Sequence, residues 1–170
     1  MTGLRPACEN HNSMIPEELQ SNPDTSALIA ANPAFLVDAK LDRGEVTLVV
    51  AGEHIVAAAQ VLKEKCRYER LSTVTGVDCY PSEPRFEVVY HLHSIARNSR
   101  LRVKCKLPGD NPEIDSLIGV WRSANWFERE TFDLFGVRFR NHPDLTRIMM
   151  PEDWEGHPLR KDYPVTGARV

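Results

Sequence analysis

The feature that most constrains this chain is a pair of alternating segments, residues 85–94 and 99–107, joined by the four-residue link Ile95-Ala96-Arg97-Asn98. A period of two on both sides of a short link predicts a β-hairpin. Pairing Ser94 with Ser99 fixes the rest of the register. Leu92 then opposes Leu101, Tyr90 opposes Val103, Val88 opposes Cys105 and Phe86 opposes Leu107, which makes one face of the ribbon apolar throughout. The other face sets His93 beside Arg100, His91 beside Arg102 and Glu87 beside Lys106. An apolar ribbon face must be covered, so the chain needs more strands or helices around it.

The flanking sequence supplies both. A short helix is expected over 25–31, stopped before Pro33, followed by an extended stretch at 34–41 and a turn at Asp42-Arg43-Gly44. The valine-rich run 45–51 predicts a strand, and an alanine-rich helix over about 53–65 carries Ile55, Val56, Ala59 and Leu62 on one side. The next strand, about 71–80, ends at Pro81-Ser82-Glu83-Pro84. After Pro108-Gly109-Asp110, Asn111 and Pro112 are expected to open a helix that buries Ile114, Leu117, Ile118 and Trp121. The fold class is therefore α+β, a mixed or antiparallel sheet with flanking helices. With 170 residues one domain is expected. Its parts are a flexible N-terminal arm at 1–24, an α+β domain at 25–140 and an extended C-terminal arm at 141–170.

Several function classes are disfavoured. A net charge of −3 from 21 basic and 24 acidic residues gives no global field for nucleic acid or an anionic membrane. No apolar run approaches the roughly 18 residues of a membrane span, and the N-terminus is too acidic for a transit peptide, so a soluble chain on the cytoplasmic side of a bacterial cell is expected. Cys8, Cys66, Cys79 and Cys105 have no clustered spacing and read as reduced, packed thiols. Arg100, Arg102, Lys104 and Lys106 form a basic stripe on the polar side of the hairpin, read as a solvated or partner-facing sheet face because no aromatic residue for base stacking accompanies it. His91 and His93 project the same way but lack a third metal ligand.

The segment 125–164 carries the most information. Asn125-Trp126-Phe127-Glu128 has the form of a capping box, and Gly136 suits a left-handed residue just past the helix end, giving a helix of about ten residues. Projected at about 100° per residue, Phe127 and Leu134 fall on one side, Glu128, Phe132 and Phe135 on the opposite side, and only Arg129 with Asp133 forms a polar strip. A helix apolar on two sides is covered on two sides. Glu128 and Glu130 then risk burial and would need partners, for which Arg138, Arg140, Arg147 and Arg160 are the candidates. Two such glutamates fit general acid and base work, or a structural ion-pair network. The network is favoured, because no nucleophile, glycine-rich phosphate loop or metal cluster accompanies them. From 141 on, Pro143, Pro151, Pro158 and Pro164 break any regular element, yet Leu145, Ile148, Met149, Met150 and Trp154 remain, the content of an arm pinned to a surface.

At these residues a resemblance becomes specific. Glu128-Arg129-Glu130-Thr131-Phe132-Asp133-Leu134-Phe135-Gly136 is followed by His142-Pro143-Asp144-Leu145 and Arg147-Ile148-Met149. Then comes Pro151-Glu152-Asp153-Trp154-Glu155-Gly156-His157-Pro158-Leu159-Arg160-Lys161-Asp162-Tyr163-Pro164. Across about 121–164 this resembles the C-type subunit of bacterial NADH:quinone oxidoreductase, respiratory complex I, the 30 kDa subunit family. Gly76-Val77-Asp78 and the hairpin also fit, whereas the first 30 or so residues carry no part of it. The resemblance implies a non-catalytic subunit of the peripheral arm, without cofactor of its own, whose C-terminal arm lies along the neighbouring D-type subunit, which helps form the quinone pocket. FMN, iron-sulfur clusters, NADH and quinone would lie in neighbouring subunits. It implies no nucleic acid, and membrane association only through the complex at the inner membrane. Carried over residue by residue, Glu128, Arg129, Glu130 and Asp133 brace the helix closed by Gly136, and His142, Arg147, Trp154, Gly156, His157, Pro158, Arg160 and Lys161 shape the arm. The equivalent subunit of a membrane-bound hydrogenase, or of a ferredoxin- or coenzyme-F420-dependent quinone reductase, is an alternative. A stand-alone enzyme with Glu128 or Glu130 as base is another.

Overall fold

The computed structural model describes residues 15–164 and 166. Its main sheet has five strands, β1 (Leu36–Asp42), β2 (Glu45–Val50), β3 (Arg70–Asp78), β4 (Phe86–Ser94) and β5 (Ser99–Leu107), in the order β1-β2-β5-β4-β3. The hairpin β4–β5 has the register that the alternation predicts, from Ser94 opposite Ser99 to Phe86 opposite Leu107. β1 and β2 turn on Arg43 (φ 52°) and Gly44 (φ 80°), two successive left-handed residues whose twist matches that of a tight hairpin. β2 runs parallel to β5 while the other neighbours are antiparallel, so the sheet is mixed.

Helices α2 (Pro23–Ala31) and α3 (Ile55–Glu64) help cover the apolar side of this sheet. Leu28, Ile55, Ala58, Ala59 and Leu62 join Leu48, Val88, Tyr90, Leu101, Val103 and Cys105 in one core. Full burial of a leucine or isoleucine of this kind contributes about 1.5–3 kcal/mol.

Three expectations are corrected. The arm expected at 1–24 does not extend to residues 15–24, while 1–14 lie outside the described residues. Ile15 and Leu19 are buried in the core, the second from a one-turn helix α1 (Glu17–Gln20). Asn22 then caps α2 by accepting from the amides of Asp24 and Thr25. Asp24 itself is buried and accepts from Tyr68 Oη at 2.6 Å and Arg97 Nη1 at 2.7 Å.

The helix expected after Pro112 is instead a short strand, β6 (Glu113–Asp115), paired in parallel with β7 (Arg138–Arg140). Ile114, Leu117 and Trp121 are buried as expected, because an apolar residue in an alternating Glu-Ile-Asp and a tight turn reach the core as well as a helix would. Ile118 is only half-buried.

The capping box does not form either. Helix α4 (Ala124–Phe135) starts before Asn125, with Ser123 at the cap position and no side-chain cap bond, so Glu128 is free to bond elsewhere. Its end is as expected, Gly136 adopting φ 74°. α4 packs on β3 at Gly76, where a Cβ would lie 2.8 Å from Phe135 Cδ2. Only glycine allows that approach. The segment after β7 contains no helix or strand up to residue 164.

Candidate functional site

A helix leaves its last four carbonyls without an intrahelical partner, and α4 has all four answered. The carbonyl of Phe132 accepts from Gly136 N–H at 2.8 Å, that of Asp133 from Arg147 Nη1 at 3.2 Å, that of Leu134 from Leu159 N–H at 3.0 Å and that of Phe135 from Arg160 Nε at 2.7 Å. His157 Nδ1 stands 2.9 Å from the Asp133 carbonyl; since a carbonyl only accepts, that nitrogen carries the proton. The C-terminal arm is thus the cap of α4, and its two guanidinium charges sit at the negative end of the helix dipole. Gly136 makes this possible, because a Cβ there would lie 2.5 Å from His157 Cδ2 and 2.7 Å from Arg160 Nη2.

Asp133 is the centre of the arrangement and is fully buried, where the helix projection put it with Arg129 in a polar strip. Its Oδ1 accepts from Arg147 Nη1 at 2.6 Å, and its Oδ2 accepts from the amides of Ile148, Met149 and Met150 at 3.1, 2.7 and 2.8 Å. Burial opposes ionisation, but the three amides and the guanidinium outweigh it and hold the carboxyl below its ordinary range. Arg147 continues the chain of contacts by donating to the Gly156 carbonyl at 3.0 Å.

A second clamp holds the end of the arm. Arg85 donates to both oxygens of Asp78 at 2.9 and 2.8 Å and to both of Asp162 at 2.8 and 2.7 Å. The guanidinium keeps the Asp78 carboxyl well below the usual carboxylate range. Asp78 also accepts from the Lys161 amide at 2.9 Å. Sequence reasoning missed Arg85 and Asp162 as partners, since 77 residues separate them. A basic residue at the foot of a strand and an acid in the motif were the only signals.

Glu128 is fully buried with no cation beside it. It accepts from Ser116 Oγ at 2.5 Å and from Leu117 N–H at 2.7 Å, which ties α4 to the end of β6. Burial pushes its carboxyl up to about 7 against these two bonds. His142, also enclosed, brings Nε2 to 4.0 Å from Glu128, while its Nδ1 accepts from the Asp144 amide at 3.1 Å.

The arginines proposed as partners of Glu128 and Glu130 go elsewhere. Arg138 pairs with Glu113, Arg140 with Asp115, Arg147 with Asp133, and Arg160 serves a carbonyl. Glu130 is only half-buried. Arg129 turns to the arm, donating to the Thr146 carbonyl and hydroxyl at 3.1 and 2.8 Å, and lies over the Trp126 ring. Gly156 takes φ 77° against Tyr163. Trp154 and Pro158 are half-buried in the arm and Lys161 is exposed.

The structure therefore gathers Asp133, Gly136, Arg147, Gly156, His157 and Arg160 at one helix end and sets Glu128 near His142. The Lys161 amide belongs instead to the Arg85 clamp, through Asp78. A surface groove of about 640 Å³ lies beside the start of α4 and is lined by Lys63, Arg70, Trp121, Arg122 and Phe127 among others, none of them from the site residues that the sequence singled out. Among the described residues no group of three or more His, Cys, Asp or Glu is suited to hold a metal ion. Glu128 has the proton affinity of a general acid or base, but it is sealed from any substrate.

Known proteins resemble this chain over most of its length. The family described as respiratory-chain NADH dehydrogenase, 30 Kd subunit, matches residues 48–169. A protein of Geotalea uraniireducens (strain Rf4), named as the C-type subunit of NADH-quinone oxidoreductase, is 52% identical over 132 residues, 78% of this chain and 80% of its own length. Among solved structures, a trypsin-resistant fragment of Nqo5 is similar with a TM-score of 0.57 and 30% identity, covering 63% of this chain and 88% of the fragment. A chain of the membrane-bound sulfane sulfur reductase, an archaeal respiratory membrane complex, has a TM-score of 0.72 at 23% identity over 82% of this chain and 83% of its own, a likeness of fold.

Proposed function

The chain belongs to the 30 kDa subunit family of respiratory-chain NADH dehydrogenase, complex I, and from that membership we propose that it is a non-catalytic, cofactor-free subunit of the peripheral arm of a proton-translocating NADH:quinone oxidoreductase. In this reading it stands beside the D-type subunit and supports the quinone-reducing module. FMN, iron-sulfur clusters, NADH and quinone are bound by its neighbours, and the isolated chain has no activity. It reaches the cytoplasmic side of a bacterial inner membrane through the complex; among the described residues no helix is long and apolar enough to cross a membrane.

The observation that carries this reading is the use made of the motif. Asp133, Arg147, His157 and Arg160 are spent on closing α4. Facing outward are Trp126 at 62%, Met149 at 58% and Leu159 at 51% exposure, apolar surface on and beside the capped helix that suits a neighbouring protein of the complex.

Truncation before Asn141 would strip the helix cap as well as the arm, so surface substitutions are the cleaner test. Met149→Glu and Leu159→Glu leave every cap bond in place. In a pull-down from detergent-solubilised membranes they are expected to lose the complex while melting like the parent chain. Full recovery of the complex with both variants would sink the proposal. The fold likeness to an archaeal respiratory complex keeps a second reading, the equivalent subunit of a related membrane-bound machine such as a hydrogenase or a ferredoxin- or coenzyme-F420-dependent quinone reductase. Co-purification of a flavin- and NADH-binding protein favours the first, and of a nickel-containing protein the second.

A further inference from the structure

The side of the main sheet away from the core carries a row of basic residues with no acid in it. Arg70 on β3, His93 on β4 and Arg100 on β5 are direct neighbours across three strands, and the next row holds Thr73, His91 and Arg102 in the same order. Neighbouring strands lie ~4.8 Å apart, so the backbones of Arg70 and Arg100 stand roughly 10 Å from each other with the imidazole between them. Together with Ser72, Thr73 and His91 they line a basin of about 470 Å³ without a carboxylate.

Cations beside this row are matched. Arg102 pairs with Glu45 at 2.6 Å and Lys104 with Glu87 at 2.7 Å. Among the described residues no carboxylate lies within ion-pair distance of Arg70 or Arg100. Acids line the adjoining hollows, Glu69 with Arg70 and Glu45 with Arg100 and Arg102, yet neither pairs with Arg70 or Arg100, and two like charges facing one basin repel. Both guanidinium residues are exposed, so water and salt screen part of that repulsion, and an anion seated between them would remove the rest.

We infer that this basin binds a phosphoryl oxyanion, with Arg70 and Arg100 donating to it from opposite sides, His93 beneath it and the hydroxyls of Ser72 and Thr73 at its edge. Guanidinium groups present paired donors in a plane, which fits tetrahedral oxyanions, and two of them spaced this way close on one phosphate from both sides. The concave shape and small volume suit a headgroup-sized anion. The phosphoryl group has two possible sources, a soluble pyrophosphate or phosphate ester, or the headgroup of an anionic phospholipid.

The test uses the full chain. Pyrophosphate is titrated while the His93 ring is followed by NMR, and retention on phosphatidylglycerol vesicles is compared with retention on phosphatidylcholine vesicles. Saturable shifts at His93 with pyrophosphate are expected, weakened about tenfold or more in R70Q combined with R100Q and less than about twofold in K106Q, at the far end of the same strand. Saturable pyrophosphate binding without vesicle retention assigns a soluble source. Retention on phosphatidylglycerol alone, lost in the double variant, assigns the headgroup. Absence of any saturable response to either probe, or equal weakening by K106Q, overturns the site; so does protection of this face by an acidic neighbour in the complex together with no response of the free chain. None of these results bears on membership of the complex, which the pull-down tests separately.

Discussion

Replacing Glu128 by glutamine should remove from the pH dependence of stability the component that falls as pH rises from about 4.5 to 7. In the folded chain burial raises this carboxyl from its ordinary 4.5 to about 7. The groups that face it are Ser116 Oγ, the Leu117 amide and His142 Nε2 at 4.0 Å, with Tyr90 close enough to feel its charge. None is a fixed cation. The folded state therefore holds a proton that the unfolded state releases above pH 4.5. The stabilisation from that proton is complete below 4.5 and is lost as pH rises through about 7. At about 1.4 kcal/mol per pH unit over that interval, wild type loses ~3 kcal/mol that a neutral glutamine does not. His142 and His157, whose ring pKa values burial lowers, contribute the opposite slope, because each folded imidazole resists the proton its unfolded form accepts. The informative quantity is thus the difference between wild type and Glu128→Gln. Urea titrations at half-unit steps from pH 5 to 8, read by tryptophan fluorescence, measure it. A difference that stays constant across the range would refute the claim that Glu128 is the proton holder.

Two further outcomes test the arm. Gly136→Ala is expected to cost more than the roughly 1–2 kcal/mol of a left-handed alanine, because its Cβ also displaces His157 and Arg160 from the helix end. Thermal melting, together with faster trypsin cleavage after Arg147, reports it. Arg85→Ala should destabilise by about 3–5 kcal/mol, since it strands the buried Asp78; Asp162→Asn, on a side chain 43% exposed, should cost about 1 kcal/mol or less. Urea midpoints of the two variants decide the order.

Where sequence reasoning succeeded and where it missed follows from the range of the forces involved. The β4–β5 register was legible because alternation and a short link leave a single consistent pairing, and the left-handed Gly136 because helix ends have a local chemistry. Burial of Glu128 followed from the angles around α4, yet its partners did not, since Ser116 and the Leu117 amide belong to a segment read as helix. Asp133 departs from the projected polar strip for a related reason. A helix projection knows only the near side of the molecule, and the arm that returns to bury this aspartate begins a turn of chain later. Ile15 and Leu19 reach the core without a signal in the sequence, because two apolar residues four apart make no period.

The division of labour within the arm explains why so proline-rich a segment retains so many apolar residues. Its polar groups face inward and answer the α4 carbonyls and the Asp133 carboxylate, bonds of high local concentration because both partners belong to one chain. Detaching the arm would give up the Arg147 ion pair and three amide bonds to Asp133 together with the bonds to the α4 carbonyls, so the arm is held whether or not a neighbour is present. Met149 and Leu159, whose backbone amides bond to Asp133 and Leu134, are then displayed outward with the backbone already ordered before association. Variants of the inner set should therefore lower stability and assembly together, whereas variants of the outer set should lower assembly alone. A chain in which outer substitutions melted as early as inner ones would show that the two surfaces are one.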